Sequence, residues 1–176
     1  MPSGKTHDII TYLAAIPTAY FAYKWTGGNL LLVALATGCT VFSGLMFGPD
    51  LDIHSKQYTR WGALRVFWWP YQKTLPHRSR LSHGIILGPA VRIIYFCLVT
   101  LLLVVAFSYL RASVLGGQPL GPEKLARKLP LLQGYASWAW QQKETWAVLA
   151  GLWWGAATHT FADVGVSVAR KASEIF

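Results

Sequence analysis

Four long apolar runs divide the chain, and formal charge is almost absent from them. The first covers about residues 9–25 and holds Thr11, Tyr12, Pro17 and Thr18. At ~1.5 Å of rise per residue it only just crosses a ~30 Å hydrocarbon core. Pro17 predicts a kink, tolerated where neighbouring helices cover the freed backbone groups. Gly27-Gly28-Asn29 predicts a tight turn. The second run, 30–47, carries no formal charge, and its Gly38, Ser43 and Gly44 allow close helix approach. Gly48-Pro49 ends it, and a polar, basic loop extends from Asp50 to Ser82. Within that loop Trp61 to Pro70 reads as a short interfacial stretch with aromatic anchors, stopped by Pro70. The third run, 85–110, opens after Ser82 as N-cap, with Pro89 near its first turn. Arg92 near its start is placed to snorkel or to meet an anion. Gly116-Gly117, Pro119, Pro122 and Pro130 break up 111–145, with 131–142 expected along the interface; the fourth run is 146–168. The expected fold is all-α: a polytopic four-helix transmembrane bundle with interfacial loop helices, one domain over residues 1–176.

Composition supports a membrane class. Hydrophobic residues make up 53% of the chain and charged ones 13%, about half the usual soluble share. Nine tryptophans and eight tyrosines suit interfacial anchoring. The net charge of +9 resides in the flanks of the apolar runs, where it orients the chain and meets anionic lipid headgroups. No nucleic-acid-binding motif accompanies it, so no nucleic-acid partner is expected. Cys39 and Cys97 fall inside apolar runs and read as small buried hydrophobes. The N-terminus does not read as a cleavable signal, because His7 and Asp8 follow Lys5 directly and Pro17 and Tyr20 interrupt the apolar stretch.

With four spans, both termini and the 48–83 loop share one side. That side carries nine basic residues: Lys5, Lys56, Arg60, Arg65, Lys73, Arg78, Arg80, Arg170 and Lys171. The other carries six: Lys24, Arg111, Lys124, Arg127, Lys128 and Lys143. The excess predicts cytoplasmic termini, in a plasma or thylakoid-type internal membrane.

The chemistry-bearing residues gather on that side. His7-Asp8 precede the first run, Asp50 and Asp52 follow the second, His77 and His83 precede the third, and His159 and Asp163 lie in the far half of the fourth. Asp50 and Asp52, two apart on an extended stretch, point the same way; His159 and Asp163, four apart, share a helix face. Each motif has a plainer reading: a first-turn acid at a helix dipole, a Pro-Asp turn, a headgroup-binding loop, an i, i+4 pair fixing helix packing. Independent accidents of that kind scatter over both faces, and these do not. Imidazole and carboxylate without thiolate suit a divalent metal, zinc foremost, with manganese or iron as alternatives and one or two ions. Bound cations also offset the repulsion between carboxylates.

MPSGKTHD, GPDLDIHSKQYTRWGALRVFWWPYQKTLPHRSRLSHG and HTFAD together resemble a family of uncharacterised metal-binding membrane proteins of cyanobacterial type. That family is similar in pattern to the predicted membrane-bound metal-dependent hydrolases, marked by PD-x-D, HR…SH and a late H-x-x-x-D. The resemblance implies His7, Asp50, Asp52, His77, His83, His159 and Asp163 as ligands, with Asp8 at the margin and His54 outside the pattern.

The leading expectation is metal-assisted hydrolysis at the cytoplasmic membrane surface, on a lipid or other amphiphilic phosphoester. Arg78 and Arg80 would steady developing negative charge, and Asp8, Asp52 or His77 would serve as general base when not bound to metal. The alternative is a non-catalytic metal-binding membrane protein for sensing, storage or complex assembly. Transport is disfavoured because the second and third runs hold no formal charge at mid-depth. A membrane scaffold, its motifs only pinning helices, is the remaining reading.

Overall fold

The computed structural model describes residues 3–173, leaving out the side chains of Arg170 and Lys171 of the basic flank. Every regular element among the described residues is helical. Helix α1 (Gly4–Trp25) starts where Ser3 Oγ accepts the Thr6 N–H, and it continues through Pro17. Gly27 and Gly28 turn the chain at φ 64° and 85°, a region glycine enters without steric cost. Asn29 then accepts from the N–H groups of Leu31 and Leu32 and opens α2 (Leu30–Met46).

Helix α2 is the centre of the molecule. It packs along α8 (Lys143–Ser173) on one side and α1 on the other, and α1 also touches α8. Glycines permit this closeness: a methyl group at Gly44 would strike the Thr11 side chain, and one at Gly155 the Thr40 carbonyl. Ser43 Oγ donates to the Leu152 carbonyl at 2.6 Å, tying α2 to α8. Small polar side chains (Thr11, Thr40, Ser43) fill the interface, while Ile9, Leu13, Ile16 and Phe21 of α1 face outward. Small residues inside and large apolar ones outside is the packing that suits helices surrounded by lipid.

The stretch after α2, expected as a loop, is folded. It comprises a 3₁₀ turn Pro49–Asp52, α3 (Lys56–Thr59), a 3₁₀ helix Gly62–Trp68, α4 (Trp69–Thr74) and α5 (Arg80–His83). Phe47, Leu51, Tyr58, Trp68 and Tyr71 form its buried core, and Trp61 Nε1 donates to the Met46 carbonyl at 2.7 Å. Trp68 is therefore a core residue and no interfacial anchor. Pro70 occupies the first turn of α4, where its missing N–H costs nothing, so it starts a helix where a stop was expected. Ser82 is not the N-cap of the third run: it lies inside α5, which Ser79 caps.

Helix α6 (Leu87–Leu115) joins this core only at its start, through Val91, Ile93, Tyr95 and Phe96. Beyond Phe96 most of it is uncovered: Leu98, Leu102, Phe107 and Leu110 are all exposed, while Ser108 accepts the Leu120 N–H. Of the four expected spans, α1, α2 and α8 pack closely, and α6 touches α8 only near its start. Two segments, 30–52 and 87–115, are long and apolar enough to cross a membrane. Polar residues (His7, Asp8 and Lys24 in α1; Lys143, Glu144, His159 and Asp163 in α8) dilute the other two. The broken region contains a further helix, α7 (Pro122–Gln141), with Pro122 in its first turn and Pro130 inside. None of its residues is buried, and Trp140 meets Trp146 of α8 edge to face at 4.4 Å.

Candidate metal centre

One end of the bundle collects side chains from four separate parts of the chain. His7 projects from the first turns of α1, Asp50 and Asp52 from the 3₁₀ turn, His83 from the end of α5, and His159 with Asp163 from α8. His77 lies just before α5. PDLD is helical where an extended stretch was expected, because Pro49 fits the first turn of a 3₁₀ helix. The two carboxylates nevertheless converge, with the His83 ring between them: Nε2 is 3.5 Å from Asp50 Oδ1 and Nδ1 is 3.4 Å from Asp52 Oδ2.

The other carboxylate oxygen of Asp50 faces away, 3.3 Å from His159 Nε2. His159 Nε2 lies 3.7 Å from Asp163 Oδ2, and His7 Nε2 lies 3.3 Å from Asp163 Oδ1. Two donor groups result: Asp50, Asp52, His77 and His83, and His7, His159 and Asp163, each with its ligand atoms within 4.8 Å of one another. Burial is deepest in the second, where His7, His159 and Asp163 are all less than a tenth exposed. His77 is the exposed member of the first, and its Nδ1 pairs with Asp52 Oδ1 at 2.8 Å.

These donors fit a divalent cation. His83 Nε2, His159 Nε2, Asp50 Oδ1, Asp52 Oδ2 and both oxygens of Asp163 are buried without a hydrogen bond. Orphaned buried acceptors are costly unless a partner satisfies them. The spacing between them exceeds a normal N–H···O bond. It matches the edges of a tetrahedron of donors around an ion at ~2.0–2.2 Å, about 3.3–3.6 Å.

A layer beneath holds the donors in place. Gln57, a buried side chain, accepts from the Asp50 N–H at 3.1 Å, donates to the Gly44 carbonyl at 2.8 Å and reaches His159 Nδ1 at 3.3 Å. Ser82 Oγ pairs with His83 Nδ1 at 3.0 Å. Arg92 does not snorkel: it is buried, donates to the Ser82 carbonyl at 2.6 Å, and meets anions in the charges of Asp52 and Asp50. Sequence reasoning missed Gln57, since a neutral amide in a loop carries no periodic or charge signal.

Asp8 leaves the cluster. Arg60 Nη2 holds its Oδ2 at 2.7 Å and Lys56 Nζ approaches at 3.5 Å. The hydrogen bond from Arg60 keeps the Asp8 carboxyl below its usual range. His83 moves the other way: burial opposes its charge, but Asp50 and Asp52 outweigh burial and push it up to about 9. His54 lies against the Tyr58 ring, apart from both donor groups. Arg78, at φ 61°, and Arg80 are exposed around α5. Arg78 lines a cavity of about 320 Å³ together with His83, Thr160, Asp163, Val164 and Val168. A second cavity of about 240 Å³ reaches His7, Asp50 and His159 from the side of Lys56 and Asp8.

Comparison with curated proteins and with solved structures yields no match. A family model described as "Uncharacterized metal-binding protein (DUF2227)" matches residues 2–173.

Proposed function

The chain belongs to this metal-binding family, and on that premise we propose a membrane-embedded hydrolase that uses its divalent ion to cleave an amphiphilic phosphoester. The observation that carries the reading is the set of buried, unbonded donors directly beside the cavity of Arg78, Val164 and Val168. The donors would hold zinc, or manganese or iron in its place. An ion bound there would supply Lewis acidity to a phosphoryl oxygen. The chain's own residues do the rest. Arg78, with Arg80 at the rim, offers guanidinium groups to an anionic headgroup. Val164 and Val168 give an apolar wall for the tail. With Asp8 tied to Arg60 and Lys56, the Asp52–His77 pair is left to take a proton, the carboxylate fixing the orientation of the ring. The exposed apolar lengths of α6 and α1 support a lipid setting, with the donor end of the bundle at the cytoplasmic headgroup layer.

A second reading has its own support. The His7–His159–Asp163 group is deeply buried, which suits an ion that is held for structure or storage in a non-catalytic metal-binding protein. Detergent-purified protein separates the two. Its metal content is measured beside Asp50→Ala and His83→Ala, and the loaded protein is screened against phosphoesters, esters and amides. Metal retained with cleavage of an amphiphilic phosphoester supports the hydrolase; metal retained with no cleavage anywhere in the screen supports the second reading.

A further inference from the structure

We infer that the centre holds two ions of unlike character, bridged by the Asp50 carboxylate. The inference rests on the metal-binding reading of this same site and adds the number, the division and the roles of the ions.

The geometry forces the division. Donors to one ion lie within about twice the metal–ligand distance of one another. The seven candidates fall into two groups instead of one. Asp50 belongs to both by its two oxygens, one 3.5 Å from His83 and the other 3.3 Å from His159.

The two positions differ in kind. His7, His159 and Asp163, from α1 and α8, are all less than a tenth exposed, and Asp50 Oδ2 reaches this group at 3.3 Å from His159 Nε2. His7 and His159 are buried where His77 and His83 are not, so the ion they hold exchanges more slowly, through the cavity of about 240 Å³ that reaches both rings. Asp50, Asp52, His77 and His83 make the other group, with His77 exposed and His83 lining the Arg78 cavity. An exposed ligand beside a cavity gives solvent and chelator a direct approach. The ion held with His7 and His159 is thus the slower to exchange, and the one beside His77 and His83 the faster.

The test is elemental analysis of the detergent-purified full chain, before and after a brief chelator wash. Two ions per chain, falling to one after the wash, are expected. His83→Gln should hold one ion, and that one should resist the wash; unlike a variant at His159, it leaves the helix interface untouched. Reloaded with manganese(II), the wild type should show an exchange-coupled paramagnetic resonance spectrum that His83→Gln replaces with that of an isolated ion. One ion in the wild type, or loss of every ion in a folded His83→Gln, overturns the two-ion centre while leaving the metal-binding reading intact. No metal in the wild type sinks both.

Discussion

The imidazole of His7 stacks on that of His159, ring centroids 3.7 Å apart and planes within 9°, although the residues come from the first and last helices. Both rings aim Nε2 toward Asp163, so one side-chain triad joins the two ends of the chain. An ion held there binds the folded state and not the unfolded one, and stabilises it by about 4 kcal/mol when present at ~1,000 times its Kd. Chelation should therefore lower the melting temperature of the wild type by several degrees. His159→Ala should melt low with or without chelator. Identical melting of wild type before and after full metal removal would take the ion out of the fold.

Gln57 tests the supporting layer. It belongs to neither donor group, yet its amide accepts the Asp50 N–H and meets His159 Nδ1. Replacing such an orienting partner lowers metal affinity by about 10–100-fold. Gln57→Ala should lose affinity in that range while remaining folded, because its cost in stability is only about 1–3 kcal/mol. Competition with a chromogenic chelator measures it. Unchanged affinity would reduce Gln57 to a helix-packing residue.

The convergence of the donors was legible because it follows from where helices end, which apolar length and the Gly48-Pro49 break reveal. The i, i+4 pairing of His159 with Asp163 was legible for the same reason. Gln57 and Arg92 were not, since their roles depend on backbone carbonyls that only the folded chain brings near. Pro122, Pro130 and Pro70 misled in the same direction. Proline is a breaker by composition, but in a first turn it costs no hydrogen bond, and both α4 and α7 begin that way. The loop core around Trp68 was hidden because an interfacial anchor and a core aromatic look alike in sequence.

His83 sets a pH dependence. Raised from 6.5 to about 9 by the carboxylates against the opposing effect of burial, it is protonated at neutral pH in the metal-free chain. That charge stabilises the metal-free fold below pH ~6.5, and the contribution is lost as pH rises through about 9. Metal needs the neutral ring, so uptake displaces the proton and affinity rises about tenfold per pH unit across this window. The gap in melting temperature between loaded and chelated protein should widen from pH 6.5 to 9. A constant gap would remove His83 from the ligands.

Leu102 decides whether α6 meets lipid or water. It lies midway along a 29-residue helix, 59% exposed, with no packing partner to lose. In a bilayer, Leu102→Lys puts a charge at mid-depth at a cost of about 2.5–3.5 kcal/mol, and the yield of carbonate-resistant, membrane-inserted protein should fall severalfold. On a water-facing helix the same lysine is harmless and improves solubility. Leu87→Lys, at the N-terminal end of α6, is the control, since a lysine there snorkels to the headgroups and should insert normally. Equal membrane recovery of both variants and the wild type would show that α6 does not cross, and the apolar surface beyond Phe96 would then need a protein partner to cover it.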